Sequence, residues 1–73
     1  MTLNQLRPGQ RAVVRVMHSS GPIRRRLRDL GLIEGTEVTC LGRSPLGDPA
    51  AYGVRGAAIA LRRADSRAIE VEA

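Results

Sequence analysis

The chain has 73 residues, 42% apolar and 26% charged: enough for one small core with a globular surface, and a composition that argues against disorder or several domains. Twelve arginines and no lysine face seven acids, for a net charge of +5, and the excess lies within residues 1–43. Such a bias points to an acidic partner: nucleic acid, an anionic membrane face or an acidic protein surface.

No apolar run approaches the roughly 20 residues of a membrane span, and no basic-then-apolar leader opens the chain, so neither membrane insertion nor export is expected. The single cysteine, Cys40, cannot form an internal disulfide, which points to a reducing, cytoplasmic location. In chain order, Leu3-Asn4-Gln5-Leu6 predicts one helical or 3₁₀ turn. Pro8-Gly9 suits the centre of a type II turn, because Pro presets φ and Gly accepts φ > 0. Ala12 to Met17 is valine-rich and reads as a strand containing Arg15.

Gly21-Pro22 ends that strand and begins a helix, with Pro22 at its first position. Ile23, Leu27 and Leu30 form one narrow apolar stripe at i, i+4 and i+7. Arg24, Arg25 and Arg28 fall on the opposite side, with Arg26 at the flank. Gly31 is placed as the left-handed residue after the helix, with Leu32 folding back on Leu27. Glu34-Gly35 marks a turn, and alternation around Val38 and Cys40 a second strand. Ser44 to Pro49 holds two prolines and a glycine and must be a loop. Ala51 to Arg55 and Ala57 to Arg62 are two strands joined tightly at Gly56. Ala64-Asp65-Ser66 suits one helical turn, and Ala68 to Val71 a last strand. Five short strands and one helix predict a mainly β fold, a small closed barrel, occupying residues 1–73 as one domain.

Three segments now align with a known pattern: Leu6-Arg7-Pro8-Gly9-Gln10, Arg26-Leu27-Arg28-Asp29-Leu30-Gly31-Leu32 and Gly35-Thr36-Glu37-Val38. Pro45-Leu46-Gly47-Asp48-Pro49, Val54-Arg55-Gly56 and Ile59-Ala60-Leu61-Arg62 continue it in order. Together they resemble the FeoA family from about Leu3 to Val71. The resemblance implies a five-stranded SH3-like barrel with a short helix inserted after the first strand. It also implies a cytoplasmic accessory protein of bacterial ferrous iron uptake, acting on the FeoB-type membrane GTPase-transporter. The same barrel is similar to the C-terminal domain of DtxR-type metal-dependent repressors, which gives an iron- or zinc-responsive module, dimeric or not, as the alternative. Cys40 stands where the family usually has an aliphatic residue, and Ala50 and Ala51 replace bulkier ones, departures that bear on core packing.

Each candidate residue has a plain structural role beside its functional one. Arg24, Arg25 and Arg28 read as a docking face for an acidic partner, or as a solvated helix face with an Arg25–Asp29 pair. Leu46 and Asp48 read as a preorganised contact on a stiff loop, or as a barrel connection with Leu46 tucked inward. Tyr52 reads as an interface anchor or as cover for the barrel edge. His18 and Cys40 are the only soft metal ligands, too few for a structural zinc site unless Glu34, Glu37, Glu70, Glu72 or a second subunit adds donors. The plain reading makes His18 an exposed loop residue and Cys40 a core filler. No cofactor is required on this reading.

One aromatic residue cannot build the stacking platform of a single-strand binder or the groove of a proline-peptide binder, so specific nucleic-acid binding is not expected. With no phosphate-cradling Gly-Lys-Ser/Thr loop and no nucleophile, base and orienter set, the chain reads as a binding module and not an enzyme.

Overall fold

The computed structural model describes all 73 residues. A 3₁₀ turn, Leu3–Gln5, is followed by strand β1 (Arg11–Met17), helix α1 (Gly21–Asp29), β2 (Glu37–Arg43), β3 (Ala50–Val54), β4 (Ala57–Leu61), the four-residue helix α2 (Arg63–Ser66) and β5 (Ile69–Glu72). All strand pairings are antiparallel, in the order β4-β3-β2-β1-β5.

Local chemistry sets the joints. Gln10 N–H donates to the Arg7 carbonyl at 2.9 Å across a turn whose Gly9 has φ +89, the geometry of a type II turn with Pro8 in its favoured place. Between β3 and β4, Arg55 and Gly56 both have positive φ, as a two-residue type I′ hairpin requires. Arg55 therefore belongs to the turn, and β4 ends at Leu61 with Arg62 outside it.

The expected barrel wraps a core but is not closed by hydrogen bonds, since β4 and β5 end the ladder without pairing. Two register shifts bend the sheet, between Val14 and Val16 of β1 and between Cys40 and Gly42 of β2. The first also turns Val16 outward, 40% exposed, and brings Met17 into the core. The outer edge of β5 is covered by the chain's own start: Val71 N–H donates to the Met1 carbonyl at 2.8 Å, and Thr2 bridges to Glu70. Arg43 fastens that start to β2, donating to the carbonyls of Asn4 (2.6 Å) and Leu6 (2.9 Å).

Fifteen buried apolar residues form one cluster inside the curved sheet. Tyr52 lies in it, fully buried, so it neither anchors an interface nor covers an edge. Its direct cross-strand partner is the equally buried Cys40. A small thiol opposite a large ring conserves volume where two bulky side chains would collide. The Tyr52 hydroxyl makes no hydrogen bond of ordinary geometry, although the Ser66 side chain lies beside it; burial pushes its pKa above the ordinary 10.0, with the Ser66 contact and Arg43 pulling the other way.

Candidate partner-binding site

Helix α1 is anchored at one end only. After Asp29 the chain closes as a Schellman motif: Leu32 N–H donates to the Leu27 carbonyl at 3.0 Å and Gly31 N–H to that of Arg28 at 2.9 Å. Gly31 has φ +100, and Leu27 and Leu32 are both buried, as their spacing predicts. The other end is weakly built. Ser20 makes no capping bond, and Pro22 sits at the second helical residue rather than the first. Leu27 is the helix's one buried residue, while Ile23, at the head of the predicted stripe, is 52% exposed. The C-terminal half of α1 therefore docks on the barrel and the N-terminal half stands clear of it.

The arginines run along the exposed side of α1, Arg24 and Arg25 toward its free end and Arg26 and Arg28 in its last turn. Arg24, Arg25, Arg26 and Arg28 are all exposed, and none lies within salt-bridge distance of a carboxylate. The Arg25–Asp29 pair of the plain reading does not form. The helix has no acid in its first turn, where Arg24 meets the positive end of the dipole, whereas Arg26 and Arg28 lie in its last turn, where the dipole favours them. Arg24 and Arg28 are also a like-charged i, i+4 pair, which costs a few tenths of a kcal/mol. The dipole accounts for Arg26 and Arg28 but not for Arg24 or Arg25. Gly21, Arg24, Arg25, Arg28 and Asp29 line a shallow surface depression of about 350 Å³.

The Ser44–Pro49 loop is braced by its own backbone. Gly47 N–H donates to the Ser44 carbonyl at 2.8 Å, and Ser44 N–H to that of Pro49 at 3.1 Å. Asp48 accepts from the Arg63 N–H at 2.9 Å, which ties the loop to the start of α2. Leu46 is left at the apex, 93% exposed, so the inward placement is excluded.

The helix and the loop are not one contiguous patch. A Cβ on Gly31 would lie 3.1 Å from Val54, which puts the anchored end of α1 at the β3–β4 turn. The loop runs into Ala50 at the other end of the same hairpin. At about 3.3 Å per residue, β3 holds the two roughly 13 Å apart.

The two soft ligands are also separate. Cys40 is sealed in the core, whereas His18 stands exposed past the end of β1, with its Nε2 against a Glu70 carboxylate oxygen. The β1–β5 pairing makes that contact across 52 residues of sequence. Glu72 is taken by Arg15 at 3.3 Å, and nowhere do three His, Cys, Asp or Glu residues gather as a metal-holding group. His18 and Glu70 supply two donors, half of a tetrahedral zinc shell. With Tyr52 buried, the surface carries no aromatic residue on which a base could stack. No helix is long and apolar enough to cross a membrane.

The FeoA domain model matches residues 1–73. Over 72 residues the chain is 35% identical to the "Fe(2+) transport protein A/Fe(2+) transporter FeoB fusion protein" of Porphyromonas gingivalis. That alignment covers 99% of this chain but only 8% of the relative. The solution structure of the FeoA protein from Chlorobium tepidum superposes with a TM-score of 0.93 at 38% identity, covering 99% of this chain and 69% of that one. The Stenotrophomonas maltophilia FeoA crystal structure, a zinc complex described as an SH3 domain protein, gives a TM-score of 0.82 at 34% identity, covering 99% and 89%. A manganese-dependent transcriptional repressor shares the fold alone, at 19% identity and a TM-score of 0.86, over 99% of this chain and 40% of that one.

Proposed function

This chain belongs to the FeoA domain family, and we propose that it is a cytoplasmic accessory protein of ferrous iron uptake that docks on the FeoB-type membrane transporter. The observation that carries the reading is a run of four exposed arginines along α1, Arg24, Arg25, Arg26 and Arg28, none of them paired with a carboxylate. Arg24, Arg25 and Arg28, with exposed Ile23 beside them, suit an acidic surface of a folded partner. Leu46 offers a second contact, apolar and on a loop already stiffened, so little entropy is lost on docking. Asp48 serves that contact by holding the loop. The fused relative supports the choice of partner, because one polypeptide there joins the two functions named in it. A standard interface of about 800 Å² per partner is wide enough to span both ends of the hairpin. Docking would alter the transporter's GTPase or gating equilibrium to the extent that its two states bind this chain with different affinity.

The test is a calorimetric titration of the chain into the detergent-solubilised transporter from the same organism, with chelator present. Saturable binding is expected, and R24E/R25E/R28E should weaken it by at least about tenfold while circular dichroism stays unchanged. Leu46→Asp should weaken it too, without loss of stability, since the side chain buries almost nothing. Unchanged affinity in the triple variant would remove the helix from the interface.

A second reading rests on the His18–Glu70 pair together with the zinc complex of the Stenotrophomonas relative. Two copies of the chain, each giving His18 and Glu70, would complete a four-donor shell for zinc or ferrous ion. Zinc-dependent dimerisation in sedimentation, lost in His18→Ala, is its expected signature.

A further inference from the structure

The two edges of the sheet are treated differently. The edge of β5 is covered by Met1 and Thr2, whereas the edge of β4 is covered by nothing. Its register with β3 runs from Val54↔Ala57 at the hairpin turn to Ala50↔Leu61. In a two-residue hairpin the flanking pair exchanges hydrogen bonds, and the alternation that follows turns the N–H and C=O of Ala58 and Ala60 away from β3. No turn, loop or cap in the chain takes up these groups, and both residues are exposed.

Edges are normally guarded by an inward charge, a proline or a bulge. Ala57-Ala58-Ile59-Ala60-Leu61 has none of these, and its pairing with β3 has no register break. Its only charges are exposed arginines at its two ends, Arg55 in the turn and Arg62 with Arg63 beyond Leu61, none of them paired with a carboxylate. Beside it, Leu41, Pro49, Ala51 and Ala60 line a shallow, mostly apolar groove of about 350 Å³.

The end charges select the occupant. A second copy added antiparallel about Ile59 would set Arg55 of one chain opposite Arg63 of the other at both ends, and like charges directly opposed are destabilising. We propose that the free edge of β4 takes up an extended segment of the partner protein, with small or apolar residues in its middle and acidic residues at both ends. Backbone hydrogen bonds to Ala58 and Ala60 supply its affinity, and the arginine pairs at its ends supply specificity. The segment would run between the two features already described, from the anchored end of α1 to the Leu46 loop. That it belongs to the transporter rests on the docking reading above; that the edge binds such a segment does not.

The probe is a synthetic peptide, Glu-Glu-Val-Thr-Val-Thr-Val-Glu-Glu, titrated into the full chain with amide exchange followed by NMR. Saturable binding should slow exchange of the Ala58 and Ala60 amides by about tenfold or more. Binding should disappear when the peptide backbone is N-methylated at alternate residues or its glutamates are replaced by lysine. Ala58→Pro removes one outward donor at no cost to the β3 ladder and should abolish binding; R62E/R63E, which leaves the strand intact, should weaken it if the proline variant fails to fold.

No protection at Ala58 and Ala60, protection confined to α1, or equal binding by the lysine peptide would overturn the proposal. Protection of the same amides by raising protein concentration alone would assign the edge to a second copy and overturn it as well. Failure of the intact transporter to bind, with the peptide still bound, would overturn the docking reading and leave the edge site standing.

Discussion

Replacing Gly31 by Ala tests how the arginine helix is held. Gly31 has φ +100, a conformation that costs an L-residue about 1–2 kcal/mol. Against this, the unfolded chain loses freedom when Gly becomes Ala, which returns about 0.4–1 kcal/mol. The new Cβ would also lie 3.1 Å from Val54 Cγ1 and 3.4 Å from Arg55 Cδ. Val54 is 1% exposed and packed on all sides, so it cannot give way, and crowding of that kind costs about 1–3 kcal/mol. The expected loss is about 2–4 kcal/mol by these terms together. Gly9 is the matched control: its φ is +89, with nothing within 4 Å of a built Cβ, so Gly9→Ala carries only the conformational part, about 1 kcal/mol.

With a urea m-value of about 1 kcal/mol per molar for so small a domain, the midpoint should fall by roughly 2–4 M in Gly31→Ala and about 1 M in Gly9→Ala. Because Leu27 is the one buried residue of α1, loosening its C-terminal clasp should also speed amide exchange along the helix and weaken transporter docking with every arginine still present. Equal midpoints for the two variants would refute the packing argument. A normal exchange profile for α1 would refute its link to the binding face.

Tyr52→Phe removes a buried hydroxyl whose neighbour, Ser66, lies outside ordinary hydrogen-bond geometry, and should change stability by no more than about 1 kcal/mol, whereas Tyr52→Ala should cost about 3–5. The same variant checks a pH effect. Burial raises the folded-state pKa of Tyr52, so its contribution is intact below the ordinary value of 10.0 and is lost as pH rises through and beyond it. Above pH 10 the parent's Tm should therefore fall faster than that of Tyr52→Phe; parallel curves would show the phenol to be solvated. Arg43→Ala removes two hydrogen bonds to the carbonyls of Asn4 and Leu6, and should cost about 1–2 kcal/mol and open the first residues to proteolysis. Both bonds leave the one nitrogen Nη2, and an ammonium also carries several donors, so Arg43→Lys should recover much of the loss, short of what the longer arginine side chain reaches.

Several parts of the site were legible in the chain alone because their causes are local. Pro8-Gly9 specifies its turn through the φ angles of two adjacent residues, and Gly31 with Leu27 and Leu32 specifies the helix stop through contacts within one turn. The separation of Arg25 and Arg28 from the Ile23–Leu27 stripe follows from the helical period by itself. The resemblance of ordered motifs supplied the SH3-like architecture, which strand counting reached only as a small barrel.

What the chain did not disclose was which side of each element faces inward. Tyr52 stands in Ala50-Ala51-Tyr52-Gly53-Val54, where no polar alternation marks a solvent face, so a one-residue slip in pairing would have turned it out. Its burial against Cys40 is decided by the β2–β3 register.

Ile23 follows the apolar period and is nevertheless exposed, since periodicity cannot say how far along a helix the barrel reaches. Leu46 points outward because Ser44, Pro49 and Arg63 close the loop beneath it. His18 meets Glu70, and not Cys40, through strands far apart in sequence. The open edge of β4 is likewise a property of the assembled sheet, for a strand is an edge only when no other strand arrives beside it. Turns and helix ends are settled by torsions and hydrogen bonds within a few residues. Faces, edges and neighbours are settled by pairings between distant ones, and these exist only in the folded chain.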